Sequence, residues 1–137
     1  MALELPESAR RMVDGRNLAH VATVMRDGSP QVTPVWVDRD GDVILINTAA
    51  GRLKVRNVGR DPRVAISMVD SDHPNPPLLV RGRVVAVVGG DAAWEHYEKL
   101  RLKYAGRSGG ERRPGEERIV WRIEADQIRA AEPRRGR

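Results

Sequence analysis

From Leu18 to Val88 the apolar residues recur mostly with a period of two, interrupted by a helical stretch after Ile46. Helical spacing returns on either side of that region. Leu5, Ala9, Met12 and Val13 form one apolar face behind Pro6, which suits a first helical turn, and Asp14-Gly15 ends the segment. Leu18 to Arg26 sets Ala19, Val21, Thr23 and Met25 against His20, Ala22 and Val24, which predicts a strand closed by Asp27-Gly28. Gln31 to Val37 is the next strand, ended by an Asp38-Arg39-Asp40-Gly41 turn, and the apolar run Val43 to Ile46 is a third. Two successive hairpins give an antiparallel meander.

Beyond the helical stretch, Asp61-Pro62 restarts the chain and Val64 to Val69 predicts a fourth strand. Asp70 to Pro77, with Pro74, Pro76 and Pro77, is a turn-rich loop. Leu78 to Val88 is a long strand in which Gly82 marks a bend or bulge. Asp91 is read as the cap of a helix from Ala92 to about Ala105, with Trp94, Tyr97, Leu100, Leu102 and Tyr104 on its apolar side and Gly106 at its end. A basic, Gly-rich loop from Arg107 to Glu117 leads to a last strand, Ile119 to Ile123, and the rest reads as tail. Six strands and three short helices with closely spaced turns predict a small antiparallel β-barrel, one domain over residues 1–128, and a basic, disordered 129–137. An interior that small is filled by side chains, so a large ligand must lie outside it or between two subunits. The apolar length of the strands predicts a homodimer.

The helical stretch is where chemistry concentrates. Asn47, Thr48 and Gly51 precede a segment carrying Arg52, Lys54, Arg56, Arg60 and Arg63 against the single acid Asp61. A helix N-terminus presents unpaired N–H groups and partial positive charge, so a phosphate is stabilised there. At 100° per residue only Arg52 and Lys54 reach that end, while Arg56 and Arg60 continue along one stripe and Val55 with Val58 face the core. The alternative is an ordinary solvated basic helix.

Composition narrows the field. The 137-residue chain is 40% hydrophobic with no Phe, so aliphatic residues and Trp36, Trp94 and Trp121 must build the core. No cysteine is present, which excludes disulfides and thiolate chemistry, and no long apolar span appears, so a cytoplasmic protein without a membrane segment is expected. A net charge of +5 suggests an anionic partner, although Arg129, Arg134, Arg135 and Arg137 of the tail supply much of it. His20, His73 and His96 read as structural, and Asp70, Asp72 and His73 lack the companions a metal site needs.

Ala22-Thr23-Val24, Asp27-Gly28-Ser29-Pro30-Gln31-Val32-Thr33-Pro34-Val35-Trp36, the Asp40-Gly41-Asp42 turn, Asn47-Thr48, Gly51-Arg52-Leu53-Lys54-Val55-Arg56-Asn57 and Asp61-Pro62-Arg63-Val64 together resemble the split-barrel flavin and deazaflavin oxidoreductases. That superfamily includes pyridoxamine phosphate oxidase. With Arg113 to Arg118 the similarity is greatest to its actinobacterial branch that uses coenzyme F420. The resemblance covers residues 16 to 125.

It implies a dimer with the cofactor lying across it. The phosphate is held by Arg52 and Lys54 with help from Asn47 and Thr48, and the ring lies along Thr33, Pro34, Val35 and Trp36. Asn57 and Arg60 complete the implied cofactor set. Pro34 fits that place physically, since it has no N–H and opens a gap in the strand's ladder. Trp36 reads equally well as a barrel plug or interface residue and as a substrate wall. The implied reaction is hydride transfer from reduced F420 to an electron-poor small molecule, with a proton from solvent or from Tyr97 or Tyr104; no acid–base pair is evident. Both F420 and flavin mononucleotide, FMN, carry the phosphate, and only F420 adds a polyanionic tail, for which Arg56, Arg60 and the Arg107 to Arg113 loop offer a groove. The rivals are an FMN oxidoreductase or flavin-storage protein on the same barrel, and a nucleic-acid-binding barrel, which the scarcity of strand aromatics disfavours.

Overall fold

The structure is a computed structural model that describes residues 3–73, 76–110 and 112–131. Its elements are α1 (Glu7–Asp14), β1 (Ala19–Val24), β2 (Pro30–Val35), β3 (Val37–Asp40), β4 (Val43–Ala49), α2 (Leu53–Arg60), β5 (Arg63–Met68), β6 (Leu78–Val88), α3 (Gly90–Ala105) and β7 (Arg118–Arg129). The strands form one antiparallel sheet in the order β2-β1-β5-β6-β7-β4-β3. Seven strands are present rather than the expected six, because the segment read as a single strand from Gln31 to Val37 is broken at Trp36. Residues before Trp36 pair with β1 and residues after it pair with β4. Since β2 and β3 are the two ends of the sheet and only Trp36 separates them, the sheet must curl until its edges meet at that residue.

Each departure from the expected boundaries follows from pairing. Asp38, Arg39 and Asp40 are strand rather than turn, opposite Leu45, Ile44 and Val43, and Gly41-Asp42 makes the tight turn with Gly41 at φ +59°. β7 runs six residues past Ile123, to Arg129, because its second half pairs with the first half of β6. Residues 132–137 of the expected tail, and Pro74 of the expected loop, lie outside the described residues. Gly89 precedes α3 as its cap residue and Asp91 belongs to the first turn, while Gly106 at φ +74° ends the helix as expected.

The core lies inside the curl. Val21 of β1, Ile66 and Met68 of β5, Val80 of β6, Trp121 and Ile123 of β7 and Ile44 and Ile46 of β4 meet Leu5, Ala9 and Val13 from the α1 segment. Leu45 points the other way and packs with Ala93 and Val120 beneath α3. Burial on both faces explains why β4 is apolar at nearly every position. Among the described residues no helix is long and apolar enough to cross a membrane.

Gly82 sits where β6 crosses β7 and the register slips, Arg81 opposing Gln127 and Gly82 opposing Ala125, so Asp126 is the extra residue of a bulge. A Cβ at Gly82 would stand 2.2 Å from the Glu124 carbonyl oxygen. Gly82→Ala is therefore expected to cost about 1–3 kcal/mol, read as a lower denaturant midpoint with unchanged slope, since backbone must move to admit one methyl.

Candidate functional site

The end of β4 and the start of α2 bring unusual polar residues into the interior. Asn47 and Thr48 are buried, and Thr48 Oγ1 has no hydrogen-bond partner among the described residues. Gly51, at φ +89°, turns the chain into α2, whose cap residue Arg52 is extended and gives no side-chain cap to the first N–H groups. The buried face of α2 is Lys54, Asn57 and Val58, with Val55 only partly covered, so it is rotated from the expected Val55/Val58 face. A polar residue at two of three buried positions is not what core packing selects.

Lys54 is 4% exposed. Burial, with the nearby charges of Arg52 and Arg118 adding to it, brings its ammonium down from 10.5 to about 8. No described carboxylate pairs with it, and both charged neighbours carry its own sign. An unpaired cation at an uncapped helix start, with Arg118 nearby, is the complement of an anion.

Arg118 completes this site, although the spacing of the chain does not single it out. It opens β7, is 7% exposed, and is held from three sides. Its Nε donates to Asn47 Oδ1 at 2.9 Å, its Nη1 donates to Glu116 Oε1 at 2.9 Å, and its Cζ lies 4.1 Å from the centroid of the Tyr97 ring. Its signal in the sequence is a lone arginine at the head of the apolar run Ile119-Val120-Trp121.

The profile of the pyridoxamine 5'-phosphate oxidase family matches residues 5–131. The chain belongs to this family. An F420 reductase of known structure is 31% identical over 91% of this chain and 98% of its own length, with a TM-score of 0.79. A conserved hypothetical protein from Mycobacterium tuberculosis is 24% identical over 94% of this chain and 85% of its own, with a TM-score of 0.71. A putative pyridoxamine 5'-phosphate oxidase from Listeria innocua is 18% identical over 82% of this chain and 86% of its own, with a TM-score of 0.61. The last two share the fold.

Within this pyridoxamine 5'-phosphate oxidase fold, the residues singled out from the sequence separate into three groups. Thr48 is buried on the core face of β4, opposite Ile119, while Lys54 is buried at the anion site and Arg52 stands exposed at its rim. Asn47 lies there too, but its amide is engaged by Arg118, by the Ala93 carbonyl at 2.9 Å and by His96 Nδ1 at 3.1 Å, so it acts on the site through its neighbours. Asn57 is fully buried and donates to Thr23 Oγ1 at 3.0 Å and to Met25 Sδ at 3.3 Å, which ties α2 to the β1 side of the fold. Arg60, in the last turn, donates to Asn57 Oδ1 at 2.6 Å, at the far end of the helix from the anion site.

The third group is β2. Thr33 and Pro34 lie on this end strand of the sheet, and Val35 is a core residue whose backbone alone is available. Trp36 is stacked on Tyr104 at 5.3 Å and on Tyr97 at 6.2 Å. Those tyrosines are seven residues apart on α3, about 10.5 Å along its axis, so the indole lies between them. Both faces of Trp36 are thereby covered by α3, outside the core that fills the curl. The Tyr104 hydroxyl donates to Asn17 O at 2.7 Å and accepts from Val37 N at 3.2 Å, and burial pushes its pKa up. The Tyr97 hydroxyl has no partner among the described residues. Leu102 is exposed, against the expectation that it shares the apolar side of α3.

Proposed function

We propose that the protein is a homodimeric oxidoreductase that binds coenzyme F420 by its phosphate at Lys54, Arg118 and the start of α2. The observation that carries this reading is the unpaired Lys54, buried along its side chain, with Arg118 nearby and of the same charge. The singly charged phosphodiester of the coenzyme supplies the missing counter-charge. When bound, the reduced deazaflavin supplies a hydride for an electron-poor small-molecule acceptor. Lys54 and Arg118 fix the anionic end, the β2 edge at Thr33 to Val35 offers backbone groups to the ring, and Trp36 keeps that edge against the rest of the sheet. Arg52 and Arg56 extend positive charge outward from the anion site, which suits a polyanionic tail.

The dimer has its own support. The outer face of β1, β2, β5 and β6 exposes Val32 and Leu79 around a groove of about 800 Å³ that includes His20, Ala22, Ala65 and Ser67. A second copy covering that face buries apolar surface the monomer leaves wet. The nucleic-acid reading loses ground because Trp36, Tyr97 and Tyr104 stack on one another rather than on a free surface.

Titration of the protein with F420 and separately with FMN, followed by tryptophan fluorescence, tests the assignment. The expected result is micromolar or tighter affinity for F420 and weaker affinity for FMN. Tighter FMN binding would turn the assignment to the flavin oxidoreductase of the same fold, and no binding of either would overturn it.

A further inference from the structure

We propose that His96, oriented by Asp38, is a positioning residue for Arg118: it accepts the second hydrogen of the Asn47 amide and so holds that amide, and through it the guanidinium, at the anion site. The inference rests on the reading above in taking that site as the cofactor's. It starts from what each group is able to do. Arg118 Nε can only donate and the Ala93 carbonyl can only accept. Asn47 lies at 2.9 Å from both, so its Oδ1 faces Arg118 and its Nδ2 faces Ala93. The second Nδ2 hydrogen then meets His96 Nδ1 at 3.1 Å, and that nitrogen must be the acceptor.

The ring proton is therefore on Nε2, which donates to Asp38 Oδ2 at 3.1 Å. Lys99 Nζ donates to the same oxygen at 3.1 Å. Burial pushes the Asp38 carboxyl up, but the bonds from His96, the Arg39 N–H and Lys99 outweigh it and hold the group well below the usual carboxylate range. Asp38 is thus a fixed acceptor, and it dictates the tautomer of His96. The order of donation runs Arg118 to Asn47 to His96 to Asp38, across β7, β4, α3 and β3. Every link is buried or half-buried, so an unmatched N–H there is costly. Without an acceptor at the Nδ1 position the second Nδ2 hydrogen is left unmatched in the interior, and the amide shifts to satisfy it at the expense of its bond to Arg118.

Two substitutions separate this role from mere packing. His96→Asn places a carbonyl oxygen where Nδ1 was and retains the acceptor. His96→Gln reaches instead to the Nε2 position and loses it. On the full chain, the Arg118 Nε–H signal in a nitrogen-15 NMR spectrum, identified by its loss in Arg118→Lys, is expected to be protected from exchange in the wild type and in His96→Asn, and to exchange freely in His96→Gln. F420 and FMN titrations of the same proteins are expected to show affinity about tenfold weaker for His96→Gln and within twofold of wild type for His96→Asn. An unchanged Arg118 signal in His96→Gln overturns the proposal. It also falls if that signal changes while cofactor affinity holds in His96→Gln and drops in Lys54→Ala, since the relay would then serve a guanidinium the cofactor does not touch. If neither cofactor binds the wild type, the functional reading fails separately, and the Arg118 signal alone decides whether the relay exists.

Discussion

Replacing Lys54 with methionine is expected to make the protein more stable and its cofactor binding weaker at once. The two effects have one cause. Lys54 is buried along its side chain with no acid to pair with and with two cations for neighbours, so folding partly strips water from a charge that nothing offsets. Methionine fills a similar volume without the charge, and a gain of about 1–2 kcal/mol in unfolding free energy is expected from denaturant titration. The same change removes a charge-assisted bond to the phosphate, about 1.5–3 kcal/mol or roughly 10- to 150-fold in F420 affinity. A structural lysine would behave oppositely, and a destabilised Lys54→Met with intact binding would refute the site.

The pH dependence follows with the same sign logic. The folded chain holds Lys54 at about 8, below its ordinary 10.5, so between those values the unfolded chain binds more protons. Stability of the cofactor-free protein from this group accordingly rises with pH across that window, the reverse of a paired lysine. Cofactor affinity falls as pH passes upward through about 8, where Lys54 loses its charge. Binding near that pH takes up a proton, visible as a calorimetric heat that depends on the buffer's ionisation enthalpy. Both slopes are absent in Lys54→Met.

What the sequence disclosed depends on how local the cause was. The β1 alternation and the Gly106 stop are set by neighbours in the chain, and they read correctly. The break at Trp36 is not local: nothing in Gln31 to Val37 says that its two halves pair with strands at opposite ends of a sheet. The true length of β7 was hidden by its bulge, since Asp126 puts two polar residues in succession and ends the visible period of two. At the site, the turn at Gly51 and the first-turn cations were legible from the chain. The burial of Lys54 and Asn57 was not, because a lysine and an asparagine at helical spacing look like a wet face until β1 and β7 are placed against them. Arg118 and His96 enter the site only through partners 71 and 49 residues away.

Trp36→Ala is expected to have the largest effect on stability of any single change near the site, about 3 kcal/mol. The residue is half-buried, which places it toward the low end for a tryptophan truncated in a packed position. Two stacked pairs are lost with it, to Tyr97 and Tyr104, each worth about 0.5–1.5 kcal/mol beyond burial. The position matters more than the area. Trp36 is where β2 and β3, the two ends of the sheet, are joined, and its stack ties that junction to α3. Removing it frees Tyr97, whose ring supports Arg118, so cofactor affinity is expected to fall together with stability. Trp36→Phe retains a ring between the tyrosines and is expected to recover most of both. A tryptophan that served only as a substrate wall would give the other pattern, with chemical denaturation unchanged by Trp36→Ala and only the turnover of an acceptor affected. Denaturant unfolding and F420 titration of the same two variants distinguish a seam from a wall.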